Sequence, residues 1–301
     1  MKVFVTGATG YIGGTVSTRL LEAGHEVIGL SRSDETAAAL MKRGIEPLRG
    51  DLNAYTPFVE VTKRVDAVIN AANSDNPFVV HALLDGLAGT GKTLIQTSGS
   101  SVVGAYDNGE ASEDTFDEDA PFTPQPEKAM RVAIDQQVLT AKGVRGIVIR
   151  PTLIYGRGIG VSSTSVQLPK LIDLAKKHGV PRHVGRGLNI WGHVHIADIA
   201  ELFLLALDKA PAGSLLYGEN GEANFKSIAQ SIGRMLGMGE RTQDWPIAEA
   251  VEGFGPGAYL SFGSNSRVRG VKSRALGWKP KGRALLDEIE NGVYAQVYGK
   301  R

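Results

Sequence analysis

Apolar positions along the first half of the chain fall into short runs separated by longer stretches of helical spacing. Residues 2–6 form a β-branched run, followed by glycines and a helical stretch over 11–23 that ends at Gly24. The pattern then repeats. Strand-like runs at 25–30, 45–49, 65–70, 93–97 and 144–150 alternate with helical stretches at 37–43, 54–64, 77–87 and 132–141. Short apolar strands alternating with helices of about ten residues predict βαβ units around a parallel sheet. Beyond Arg150 the alternation loosens. Residues 151–165 read as a long Gly/Ser/Thr loop, and helical spacing returns at 166–178, 196–207, 225–236 and 285–295. The expected fold class is α/β, a doubly wound parallel sheet of the Rossmann type with a smaller C-terminal lobe. The division is 1–155 for the first, sheet-bearing domain and 156–301 for the smaller lobe, with segments around 193–217 returning to the first domain. Residues 107–126 carry seven acidic residues and three prolines and read as an exposed loop near the sheet's carboxyl edge.

The first turn carries the most chemistry. Gly7, Gly10 and Gly13 form a G-x-x-G-x-x-G pattern directly between a strand and a helix. One glycine allows the tight turn, one lets backbone approach a pyrophosphate, and one lets helix pack on strand; the helix N-terminus then offers free N–H groups to phosphate. An NAD site usually places a carboxylate at the end of the second strand, for the ribose 2′-hydroxyl. Here that strand ends in Ser31-Arg32, a hydroxyl and a cation suited to a 2′-phosphate. NADP(H) is therefore the favoured cofactor, and nearby Asp34 keeps NAD(H) open.

Composition narrows the classes further. Among 301 residues there are 38 glycines and no cysteine, which excludes a disulfide scaffold, a thiolate metal site and a cysteine nucleophile. A balance of 33 basic and 32 acidic residues gives no electrostatic bias toward nucleic acid or anionic membrane. No apolar run approaches the roughly 20 residues of a membrane span, and no secretory signal pattern opens the chain, so a cytoplasmic protein is expected.

The chain resembles the extended or atypical short-chain dehydrogenases/reductases, the NAD-dependent epimerase/dehydratase family. Besides the glycine turn, Gly50-Asp51-Leu52, Asn70-Ala71-Ala72, the Arg150-Pro151…Tyr155-Gly156 segment, the 193–200 segment and Leu276-Gly277-Trp278-Lys279-Pro280 match that family's motifs in order. The resemblance implies that Gly7, Thr9, Gly10, Tyr11, Ile12 and Gly13 cradle pyrophosphate and that Ser31 and Arg32 hold the 2′-phosphate. It also implies that Asp51 and Leu52 line the adenine, and that Ala71, Ala72, Asn73, Pro151 and Leu153 border the ribose and nicotinamide. The implied activity is that of an oxidoreductase or epimerase/dehydratase acting on a small carbonyl, hydroxyl or sugar-nucleotide substrate.

The family's acid–base apparatus is missing. Its Tyr-x-x-x-Lys helix reads Glu127-Lys128-Ala129-Met130-Arg131 here, and Gly99 stands where its serine is expected, flanked by Ser98 and Ser100. The tyrosine position falls at Glu127 or Lys128, the lysine position at Arg131 or Val132. The acid–base candidates become Ser98, Ser100, Lys128, Arg131 and Tyr155. Three readings follow: an enzyme with substitute groups, a hydride transfer needing little acid–base help, or a redox-sensing regulator that binds NADP(H) without turnover. Arg267, Arg269, Lys272 and Arg274 either meet an anionic substrate or face solvent. Residues 86–93 spell a phosphate-loop pattern, but between a helix and a strand, where its N–H groups do not converge. His193 and His195 are set aside as metal ligands, so no metal is expected. The expected partners are a small-molecule substrate, with no nucleic acid and no membrane; a homodimer is left open.

Overall fold

The alternation resolves into one seven-stranded sheet flanked by helices on both faces. The computed structural model describes residues 1–299. Its first six strands are β1 (Lys2–Thr6), β2 (Glu26–Ser31), β3 (Glu46–Arg49), β4 (Ala67–Asn70), β5 (Thr93–Thr97) and β6 (Arg145–Pro151). The intervening helices are α1 (Tyr11–Glu22), α2 (Asp34–Met41), α3 (Tyr55–Lys63), α4 (Pro77–Leu87) and α5 (Pro126–Leu139). After β6 come β7 (Leu153–Tyr155), α6 (Gln167–His178), β8 (Arg182–Val184), β9 (Ile190–His195), α7 (Ile196–Lys209), β10 (Ser214–Gly218), β11 (Glu222–Asn224), α8 (Phe225–Met235), β12 (Gln243–Trp245) and α9 (Ile247–Phe254). The strand order is β10-β6-β5-β4-β1-β2-β3, parallel throughout.

Apolar runs, rather than alternation, suit strands covered on both faces. Val3, Val5, Ile69, Ile95, Ile147 and Ile149 pack toward α1 and α7. Their sequence neighbours Phe4, Val68, Leu94 and Val148 pack on the opposite side with α3, α4 and α5. A third cluster, built on Leu153, Ile172, Trp191, Phe225, Ile232 and Phe262, forms the core of the more irregular C-terminal region.

Several boundaries differ from the sequence reading. α5 begins at Pro126 rather than 132, because its first turns are polar and carry no apolar period, while proline suits a first helical position. The loop expected over 151–165 contains β7, too short for a periodic signal. The helix expected over 285–295 is divided at Gly292 into Leu285–Asn291 and Val293–Tyr298. The seventh sheet strand, β10, pairs Ser214–Gly218 with residues 147–151. The acidic segment is strapped down: the Glu118 carboxylate accepts from the backbone N–H groups of Tyr217, Val271 and Lys272. No helix among the described residues is long and apolar enough to cross a membrane.

Candidate active site

Strand order reverses between β1 and β4, which opens a crevice at their carboxyl ends. A buried polar relay fixes those ends: Thr6 donates to Asn70, whose amide donates to Gln96 at 2.7 Å. The glycine turn folds over this relay. Gly7 has φ +68°, and a Cβ there would lie 2.5 Å from the carbonyl oxygen of Ala71. A Cβ on Gly13 would lie 2.4 Å from the Gly7 carbonyl oxygen. Two of the three glycines are thus required by close backbone approach. Gly10 meets only a backbone oxygen at 3.1 Å and otherwise faces open space. α1 has no side-chain cap and no acidic residue in its first turn, so its leading N–H groups are free to receive an anion.

The crevice is a 370 Å³ cavity lined by Gly7, Thr9, Gly10, Leu30, Arg32, Thr36, Leu52, Ala71, Ala72 and Asn73. Arg32 is exposed at its rim, and among the described residues no carboxylate pairs with it. Asp34 is turned to Arg49, 3.4 Å away, and does not line the cavity. Leu30 and Thr36 are additions to the sequence reading. Thr36 completes a capping box with Ser33 at the start of α2, and the spacing Ser33-x-x-Thr36 could have pointed to it.

The structure places the other expected cofactor residues outside the cavity lining. The Ser31 hydroxyl is buried without a hydrogen-bond partner rather than open to the cavity, because the alternation of β2 sends it inward. Tyr11 turns away and donates to the Gly156 carbonyl at 2.8 Å, and Ile12 packs against the sheet core, so only their backbone stays at the turn. The Asp51 carboxylate accepts from the Asn53 N–H at 2.9 Å and lies outside the cavity lining. Pro151 is buried where β6 pairs with Gly218, and Leu153 sits in the C-terminal core; neither lines the cavity.

The acid–base candidates separate in the same way. Ser98 is buried and donates to Asp135 at 2.8 Å, and Asp135 forms a buried ion pair with Arg150 at 2.9 Å. Burial pushes the Asp135 carboxyl up, while the guanidinium and the serine hydroxyl act against that rise. Ser100 is buried and accepts from the Ser266 hydroxyl at 2.8 Å. Tyr155 is withdrawn altogether. Its ring lies edge-on to His193 and His195, its hydroxyl donates to the Arg283 carbonyl at 2.6 Å, and burial raises its phenol. Arg131 and Lys128 do reach the carboxyl edge. Arg131 grips Asp75, donating from Nε at 2.8 Å and from Nη2 at 2.5 Å, and lies under Gly99, where an added Cβ would meet its Nη1 at 3.3 Å. Burial and the Arg131 charge lower the Lys128 ammonium below its ordinary range. A residue the sequence reading passed over, Tyr106, donates to both carboxylate oxygens of Glu127.

The basic cluster of the C-terminal region is internally neutralised. Arg267 and Arg269 both pair with Glu222, Arg274 with Glu219 and Lys272 with Asp119. A cavity larger than the crevice, 590 Å³, lies between α6 and α9 and includes no residue of the glycine turn, so size alone does not mark the reacting centre.

Comparison with known proteins agrees with this geometry. Residues 3–215 match the NAD dependent epimerase/dehydratase family. An uncharacterised protein of Schizosaccharomyces pombe is 34% identical, covering 98% of this chain and 100% of its own. The oxidase ucsJ of an Acremonium species is 29% identical over 96% of this chain and 95% of its own. Among solved structures, the NAD complex of dTDP-glucose 4,6-dehydratase from Bacillus anthracis superposes with a TM-score of 0.78 at 18% identity, covering 99% of this chain and 96% of that one.

Proposed function

The chain belongs to the NAD-dependent epimerase/dehydratase family, and from that premise we propose that it is an NADP(H)-dependent oxidoreductase acting on a small carbonyl or hydroxyl compound. The observation that carries the cofactor choice is the contrast between Arg32 and Asp34. The cation lines the cavity without a carboxylate partner, while the carboxylate is turned outward to Arg49. A lone guanidinium beside a ribose favours a 2′-phosphate, and the missing carboxylate removes the usual hold on a free 2′-hydroxyl.

The residues fit a dinucleotide. Gly7 and Gly13 leave the backbone room that any side chain would fill, and the uncapped start of α1 receives the pyrophosphate. Leu30 and Leu52 give the adenine an apolar seat, and Ala71, Ala72 and Asn73 carry the site toward the nicotinamide. When bound, the cofactor supplies or accepts a hydride. A neutral small substrate is favoured over a sugar nucleotide because Arg267, Arg269 and Arg274 are already held by Glu222 and Glu219. A diphosphate would have to break those pairs. The regulator reading keeps one point in its favour, since Ser98, Ser100 and Tyr155 are all committed to structural bonds.

Two measurements decide. Arg32→Asp is expected to weaken NADPH binding by about 10–100-fold, the loss of one or two charge-assisted hydrogen bonds, with little change for NADH. Equal effects on both cofactors would remove Arg32 from the 2′-phosphate. Turnover is then followed by nicotinamide absorbance against a panel of small aldehydes and ketones. Tight NADPH binding without turnover across the panel favours the regulator.

A further inference from the structure

The 590 Å³ cavity shares no residue with the dinucleotide crevice, and the reaction proposed above makes no use of it. Its size falls within the roughly 300–1,000 Å³ range of small-molecule sites. Arg182 and Trp245 enter it from the two-stranded parallel ribbon of β8 and β12. Arg182 stands opposite Gln243 and Val184 opposite Trp245. Residues two apart on a strand share a face, so the Arg182 and Trp245 side chains rise on the same side of the ribbon. α6 and α9 flank them.

One side of the cavity is aromatic. The Trp245 indole is buried, and the Phe254 ring meets it edge-on with centroids 5.3 Å apart; Leu174 adds an apolar side chain. Lys170 Nζ stands over the Phe254 ring, 4.9 Å from its centroid, so a positive charge borders that side. Arg182 supplies the buried polar group. Its side chain is only 7% exposed. Nε donates to the Asp244 carbonyl at 3.3 Å, and Nη1 donates to the Glu249 carboxylate at 3.0 Å. Nη2 makes no hydrogen bond among the described residues and keeps its access to solvent. A buried guanidinium that lines a cavity therefore has one donor edge unspent. The other unpaired charges are exposed and balance, Lys170 and Lys177 against Asp173 and Glu252. Water screens exposed charges, so the buried donor decides the sign of the ligand.

We propose that this cavity is a second ligand site, and that it takes a small aromatic carboxylate. The carboxylate accepts from Arg182 Nη2, and the ring lies against Trp245 and Phe254. The association is non-covalent, and it does not depend on the oxidoreductase reading.

Gly253 offers a clean variant. It lies on α9 at the cavity wall with an ordinary backbone, and an added Cβ meets no heavy atom within 4 Å. Gly253→Leu thus fills the cavity without a clash and gives α9 a better helix former. Calorimetric titration of the full chain with 1-naphthoate, with and without saturating NADPH, is expected to show the same single site. The charge-reversed probe 1-naphthylmethylamine should bind at least about tenfold more weakly, and Gly253→Leu should weaken naphthoate by at least as much. Arg182→Gln should weaken naphthoate by about 10–100-fold, the loss of one charge-assisted hydrogen bond, and leave the amine unchanged. Naphthoate that NADPH displaces, or that binds Gly253→Leu as tightly as wild type, lies elsewhere and overturns the site. Equal affinity for the amine, or for Arg182→Gln, overturns the carboxylate class. No naphthoate binding at millimolar concentration overturns the proposal outright and leaves the oxidoreductase reading standing.

Discussion

The dinucleotide crevice and the basic cluster of the C-terminal region treat their polar groups in opposite ways. In the crevice, Arg32 has no carboxylate partner among the described residues, and the first N–H groups of α1 have no side-chain cap. In the cluster, each of Arg267, Arg269 and Arg274 already holds a carboxylate. Desolvating a paired surface charge yields little, whereas unsatisfied donors with fixed geometry gain fully from an anion. A count of positive charges alone would point to the paired cluster rather than to the crevice. What marks a binding site here is unspent hydrogen-bonding capacity on a rigid backbone.

The comparison breaks most sharply at Gly13. A valine there drives its Cβ into the Gly7 carbonyl, which the turn cannot yield without moving α1 off β1. NADPH binding, read by nicotinamide fluorescence, should fall on the order of a thousandfold, about 4 kcal/mol. Binding within a few-fold of wild type would show that the turn is not the phosphate cradle.

An intermediate effect probes a titratable group left unsatisfied in the C-terminal region's interior. His193 is buried with Nδ1 unpartnered, and burial pushes its pKa down to about 4. The unfolded chain takes up that proton near pH 6.5, so between about 6.5 and 4 the unfolded state binds more protons. The contribution is fully present above about 6.5 and is lost as pH falls through that window, to a total of about 3 kcal/mol. Urea unfolding across the window should show this slope, and His193→Phe should flatten it. An unchanged slope in the variant would assign the acid sensitivity elsewhere.

The smallest effect sharpens the contrast. Arg269→Ala removes a half-exposed partner of Glu222, which keeps Arg267, and should cost less than about 1 kcal/mol in thermal unfolding and leave NADPH binding unchanged. A large loss of turnover in that variant would return the cluster to the list of substrate contacts.

Much of this was readable in advance because it is local. The glycine turn spans seven residues, and the β1–α1 context that gives it meaning lies on either side. The parallel sheet follows from apolar runs that each strand carries by itself. The commitments of Ser98, Arg274 and Tyr155 are not local. Ser98 reaches Asp135 across 37 positions, Arg274 reaches Glu219 across 55, and Tyr155 reaches Arg283 across 128. Nothing in the residue types distinguishes a free hydroxyl from one already donating. Tyr106 escaped notice for a related reason. Its partner Glu127 lies 21 positions away, beyond a segment whose acidity and prolines gave no period.

The placement of β10 bears on how the chain is made. During synthesis β6 emerges more than sixty residues before the strand that will cover its outer edge. Until residue 218 is out, the backbone of residues 147–151 is an open template for pairing with another nascent chain. A gene fragment stopped at residue 155 would freeze that exposure, with Ile147 and Ile149 no longer sheltered by α7. A stable excised nucleotide-binding half has to carry residues 196–218 along with it.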